Sequence, residues 1–223
     1  MNQVIQSIAK DSIGSYVAKQ IDNILPLGAD NESVQPVLEF HLNEALTRVQ
    51  RCIDEVSMWR GGHFDILHST QYCIFLYYLA NTIWKKEGDR QTCTKLFLLN
   101  KALNAIDLFY EIEMPEVFFI GHSAGIVLAK ASYGNHLVLY QNSTVGKNHG
   151  ESPAISEGVI MYPNTAIIGR CAVAKNSIIS QGVSVINCDT SANSIAFSGE
   201  GGALVFRPNQ RCIQADFFRN YAC

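Results

Sequence analysis

The chain has 223 residues, 48% of them hydrophobic and 17% charged, with a formal net charge of −3. That is apolar material for one large core or two modest ones, and it excludes a chain too polar to fold. The slightly acidic balance and the lack of any run of Lys and Arg exclude nucleic acid and an anionic membrane surface on charge, leaving a small molecule or another protein as partner.

Seven cysteines, Cys52, Cys73, Cys93, Cys171, Cys188, Cys212 and Cys223, are scattered without a CxxC pair. They read as reduced, mostly buried thiols of a cytosolic protein. The start, "MNQVIQSIAKDSIG", has no basic segment followed by an apolar one. The longest apolar run, "YCIFLYYLANTIW", is too short and interrupted to span a bilayer. A cytoplasmic location with no membrane contact is the expectation.

In chain order, helical spacing comes first. From about Gln3 to Ile24, the residues Val4, Ile5, Ile8, Ile13, Val17 and Ile21 fall near one face. "NES" at Asn31 to Ser33 offers a cap before a second helix carrying Val37, Leu38, Leu42, Leu46, Val49 and Ile53. "MWRGGHFD" breaks the pattern. Tyr72 to Trp84 is apolar nearly all round, as in a central helix, and Cys93 to Phe109 places Leu96, Leu99, Leu103 and Ile106 inward. The reading is a helical domain over 1–111.

After Tyr110 the period changes. Ile155, Met161, Ile167, Val173, Ile179 and Val185 recur every six residues, and Val159, Thr165, Cys171, Ser177 and Val183 lie four places after the first five. The same spacing extends back through Met114, Ile120 and Ile126, then through Tyr133, Leu139 and Val145 after one extra residue. Six is neither a helical nor a strand period. It fits one short strand plus one turn, three such units carrying the chain round a triangular prism with the aliphatic residue inward and the small residue at the corner. The gap of ten from Val145 to Ile155 makes about four residues bulge out. The fold class is α+β: an all-α N-terminal domain followed by a left-handed parallel β-helix of about five coils over 112–206, with a tail over 207–223.

These residues resemble the hexapeptide-repeat acyltransferases, and within them the serine O-acetyltransferases. "FFIGHSAGIV" is similar to the family's segment around its catalytic His, "YGNHLVLYQNSTVG" to the stretch after it, and Ile155 to Val185 to the repeats downstream. "TSANSIAFSGEGG" resembles the closing loop, without its usual Gly-Val-Pro-Ala ending. The resemblance implies transfer of an acetyl group from acetyl-CoA to the hydroxyl of a small molecule, with no metal, at sites between protomers of a homotrimer or a dimer of trimers. It places the base at His122. Imidazole suits that task because a hydroxyl must lose its proton as it attacks, and the small neighbours in "GHSAG" leave room for a substrate. Glu111 or Glu113, in "EIEMP", could orient the imidazole, with Asp107 a further candidate. The resemblance gives Gly146, Pro163 and Gln181 as lining for acetyl-CoA and Gln141 on the substrate side. Of the other histidines, His41, His63, His68 and His136 read as structural, and His149 on the bulge could line the substrate mouth.

Departures concern the acceptor. The acid that precedes the base in the serine enzymes is Gly121 here, and their Arg-His-Pro corresponds to "ESP" at Glu151 to Pro153, leaving Lys147 as the only cation of the bulge. The expected function is therefore acetyl transfer of the serine acetyltransferase type, with a sugar or nucleotide sugar as the alternative acceptor. Two readings of other classes are a non-catalytic trimeric scaffold and a metal enzyme like the γ-class carbonic anhydrases. The latter needs three converging histidines, and no His-x4-His pair exists. The tail ends in Cys, not in the Ile that serine enzymes use to dock a partner enzyme, so no such partner is expected.

Overall fold

The helical spacing of the first half becomes four helices in the computed structural model, which describes residues 4–6 as backbone and residues 9–26 and 33–222 in full. The chain divides into two units. One comprises Met1–Asp54 and Arg60–Glu111, the other Glu55–Trp59 and Ile112–Cys223.

In the first unit, helix α1 runs over Ile13–Ile24, α2 over Gln35–Glu55, α3 over Ser69–Glu87 and α4 over Arg90–Asn104. Every residue of α3 from Thr70 to Ile83 is buried, as its all-round apolar sequence requires. Gly88, in the left-handed region at φ 65°, ends α3, and the Asp89 carboxylate accepts from Thr92 N at 3.0 Å to start α4. Arg48 of α2 ties into α3 by donating to Asn81 Oδ1 and Thr82 Oγ1, each at 2.8 Å.

Two expectations for this half need correction. The first helix does not begin at Gln3. Val4–Gln6 is a strand paired in parallel with His63–Asp65, so the β-branched Val4 and Ile5 belong to a two-stranded sheet. The last helix ends at Asn104 because Ala105 turns into the left-handed region at φ 50°. Leu103 therefore lies on the outer side, 44% exposed, and Ile106 is buried outside the helix. Of the expected cap, Asn31 and Glu32 lie outside the described residues, while Ser33 Oγ accepts from Gln35 N at 3.3 Å.

The second unit is a parallel β-solenoid of about five turns, left-handed, whose short strands stack on three faces. On the first face, Phe118–Ile120, Leu137–Leu139, Ile160–Met161, Ile178–Ile179 and Ser194–Ser198 pair in that order. The second face stacks Val127–Leu128, Thr144–Gly146, Ala166–Ile168 and Ser184–Ile186, and the third Ser132–Tyr133, Ala154–Ile155 and Ala172–Val173. The row Ile155, Met161, Ile167, Val173, Ile179 and Val185 is inward throughout, at most 3% exposed. Residues four places later are small for a reason beyond size. Thr165 Oγ1 donates to Tyr162 O at 2.8 Å, Ser177 Oγ to Ala174 O at 2.7 Å and Cys171 Sγ to Ile168 O at 3.2 Å, so these three corners each bond a carbonyl three residues back, while Val159 and Val183 fill theirs with carbon alone.

Upstream the repeat slips. Leu128, not Ile126, pairs with Val145, and Ile126 takes the buried corner place. The corner before it therefore has six residues, 121–126, where the next three corners have four.

The coils close with a hairpin, Ser194–Ser198 antiparallel to Leu204–Pro208, whose loop is the Gly-rich "GEGGA". The chain then returns across the first face. Phe217 and Phe218 are buried, Gln214 Nε2 donates to Gly158 O at 2.7 Å, and Tyr221 OH donates to Asn176 Oδ1 at 2.5 Å. Glu55–Trp59 joins this strap: Val56 bridges Phe218, and Arg219 N donates to Glu55 O at 2.9 Å. Cys212, at the start of the strap, is disulfide-bonded, against the expectation of seven reduced thiols; Cys52, Cys73, Cys93, Cys171 and Cys188 are free. Among the described residues, no helix is long and apolar enough to cross a membrane.

Candidate functional site

The six-residue corner projects His122. Its backbone is held at both ends, by Gly121 N donating to Leu139 O at 2.9 Å and Asn142 N donating to Ala124 O at 2.9 Å. Gly125 makes the turn at φ 74°, in the place that Asn142, Asn164 and Gly182 fill in the coils below. His122 is exposed, and its imidazole has no hydrogen bond within the described residues; its nearest ring is Tyr140, 6.5 Å between centroids at 61°. The two extra residues thus lift an unengaged imidazole off the solenoid edge.

The corners stack below it. Asn164 N donates to Gln141 O and Gly182 N to Pro163 O, each at 3.0 Å, so Gln141, Pro163 and Gln181 form one column under Ala124. Adjacent coils are about 4.8 Å apart, so the column extends about 15 Å from the His122 corner. Its lower end opens into a groove of about 200 Å³ lined by Gly182, Ser184, Phe197, Ser198, Gly202 and Leu204. Nothing lies within 4 Å of where a Cβ would stand on Gly182 or Gly202.

The other expected residues stand elsewhere. Gly146 ends the second-face strand Thr144–Gly146, and beyond it seven residues, 147–153, occupy a corner that takes three in the next coil. That bulge is a two-residue hairpin. Asn148 and Glu151 exchange backbone hydrogen bonds at 3.0 and 2.9 Å, and His149 and Gly150 turn through φ 48° and 85° at the exposed tip. One chain therefore carries His122, Gln141, Pro163 and Gln181 at one corner and Gly146 and His149 towards another. Glu113 is exposed and Glu111 half-buried, and neither bonds His122. Among the described residues, no group of three His, Cys, Asp or Glu could hold a metal ion.

A feature the sequence reading missed lies beside His122. Tyr140 fills the space next to Gly121, with its Cε1 only 2.6 Å from where a Cβ on Gly121 would stand. Tyr162, one coil below, stacks on it at 5.6 Å between centroids and 22°. Phe119 and Phe217 meet Tyr140 edge-on. The signal was present in the sequence as two tyrosines each directly after an inward residue, Leu139 and Met161. His136, expected to be structural, takes the left-handed corner place at φ 61° with its ring against Phe218 and Tyr221. Its Nδ1 lies 3.3 Å from Glu157 Oε1 without hydrogen-bond geometry.

No protein-family model matches the sequence, and comparison with curated proteins finds no match. Solved structures do match. Serine acetyltransferase from Vibrio cholerae superposes with a TM-score of 0.69 at 18% identity, covering 92% of this chain and 83% of its own. That from Brucella abortus gives 0.69 at 17%, covering 93% and 86%. The Neisseria gonorrhoeae serine acetyltransferase in complex with serine gives 0.67 at 16%, covering 87% and 84%. At these identities the likeness is one of fold.

Proposed function

We propose that this chain, with the fold of the serine acetyltransferases, is an acetyl-CoA-dependent O-acetyltransferase in which His122 is the general base. The observation that carries the reading is the corner itself: an exposed imidazole without a hydrogen-bond partner among the described residues, lifted by two extra residues over a column of uncharged corners. A base needs a free nitrogen within reach of the acceptor hydroxyl, and His122 alone among the six histidines combines exposure, an unengaged ring and the "GHSAG" setting.

Acetyl-CoA is the donor this column fits. The side chains of Pro163 and Gln181 and the open glycines Gly182 and Gly202 leave a narrow, uncharged track suited to a pantetheine arm. When bound, the thioester supplies an activated acyl carbon. His122 takes the acceptor's proton as the oxygen attacks that carbon, and returns it to the sulfur as the carbon–sulfur bond breaks. Gln141, one coil below, lies on the acceptor side. Glu111 or Glu113 orients the imidazole in the assembled enzyme.

The assembly is a homotrimer or a dimer of trimers, because the site is incomplete in one chain. Gly146 and His149 stand at the far end of the second face, and a neighbouring protomer brings that corner to His122.

The test is thiol release from acetyl-CoA with a panel of hydroxyl acceptors, for wild type and His122→Asn. Wild type turns over with at least one acceptor, and His122→Asn loses about 10²- to 10⁴-fold at unchanged thermal stability. Activity of the variant within a few-fold of wild type removes His122 from the mechanism. Absence of thiol release with every acceptor favours the scaffold reading.

A further inference from the structure

The corners around His122 say what kind of hydroxyl the site takes. Four stacked corners, 121–126, 140–143, 162–165 and 180–183, read GHSAGI, YQNS, YPNT and SQGV, without one Asp, Glu, Lys or Arg. An α-amino acid acceptor carries an ammonium and a carboxylate close together. Binding it out of water requires opposing charges or a dense set of charge-assisted hydrogen bonds, because an unpaired charge is costly to desolvate. These four corners supply none from their own chain; the charges that could join them, Lys147 and Glu151, stand on the corner that a neighbouring protomer brings.

What the four corners supply is aromatic and neutral. Tyr140 and Tyr162 are half-buried and stacked, and neither phenolic hydroxyl has a hydrogen-bond partner among the described residues. Burial, with the neighbouring ring for Tyr140 and the Asp216 carboxylate for Tyr162, pushes both pKa values up, so both remain neutral O–H groups able to donate and accept. Asp216 is itself engaged, with one Arg211 nitrogen donating to both of its oxygens at 2.9 Å. Gln141 adds an amide whose buried Oε1 receives no hydrogen bond. Gly121 cannot contribute a side chain, because Tyr140 occupies that space.

Resting on the reading of His122 as base, we infer that the Tyr140–Tyr162 pair is the specificity-determining wall of the acceptor site, and that it selects an uncharged, ring-shaped polyol of the pyranoside type over an amino acid. Such a ring presents several hydroxyls that trade hydrogen bonds with phenols and an amide, and its C–H edges pack on aromatic carbon at no charge desolvation cost.

The experiment uses the full-length enzyme with acetyl-CoA. Thiol release is measured against a set of methyl pyranosides and against L-serine and L-homoserine, for wild type, Tyr140→Phe and Tyr162→Phe. At least one pyranoside is acetylated with kcat/KM well above either amino acid. Each Phe variant, keeping the stack but losing its hydroxyl, raises KM for that pyranoside about three- to tenfold with kcat and thermal midpoint little changed. Preference for an amino acid, with turnover lost in His122→Asn, overturns the inference and leaves the base assignment standing. Pyranoside turnover with unaltered KM in both Phe variants overturns the role of the tyrosines. Thiol release with no acceptor of either class fails the enzyme reading together with this one.

Discussion

At the residue scale, the proposed chemistry turns on a few neighbours of His122, and only some are legible in sequence. The imidazole stands out because "GHSAG" interrupts an aliphatic row. That its corner is two residues longer than the others is not visible, since Ile126 keeps the six-residue count from Ile120 while occupying a different place. Nor does the sequence show that Tyr140 closes over Gly121, a contact between residues one coil apart. Tyr221 allows a test at this scale. Its burial, then the Glu157 carboxylate, push its pKa from the ordinary 10.0 to about 12. In the unfolded chain the phenol ionises near its ordinary value, so across that window the folded state holds more protons. The contribution of Tyr221 is then complete below the unfolded pKa and is lost as pH rises through the folded one. Denaturant midpoints measured from about pH 9 to about pH 12 fall more steeply for wild type than for Tyr221→Phe; equal slopes would mean that the strap does not protect this phenol.

At the element scale, the solenoid strands are the most legible part, because a row of six inward residues at fixed spacing has no other economical structure. The strap across the first face was missed. Its signal is a doubling: Phe119, Val138, Ile160 and Ile178 precede the inward Ile120, Leu139, Met161 and Ile179 and are themselves at most 5% exposed, whereas the corresponding places on the second face hold Val127, which is 45% exposed, Thr144, Ala166 and Ser184. One face in three therefore needed a cover, which Phe217 and Phe218 provide. In sequence the N-terminal strand looks helical because Val4 and Ile5 fit a helical stripe, and its partner His63–Asp65 lies beyond two helices. The inward row is tested by Ile167→Asp, which places a carboxylate between Val145 and Val185 at a fully buried position. Stability should fall by about 3 kcal/mol or more, spreading to neighbouring coils, while Arg170→Asp at an exposed corner stays within about 0.5 kcal/mol. Thermal melts of the two variants check this; an unchanged Ile167→Asp beside a collapsed Arg170→Asp would put the inward frame out of register.

At the scale of the whole molecule, the separation of His122 from His149 makes assembly a requirement of the proposed function. A homotrimer, alone or paired into a hexamer, is expected, and light scattering should give three or six times the mass of the chain; a fully active monomer would refute that arrangement. Acceptor identity is least legible in the sequence, because in the proposed site it depends on which side chains face His122 across coils and chains. The proposed reaction stands on where the donor lies, and a crystal structure of the assembled protein soaked with coenzyme A shows that. The coenzyme is expected along Pro163 and Gln181, with its sulfur beside His122. Coenzyme bound on the strap-covered face, or at a corner away from His122, would contradict it.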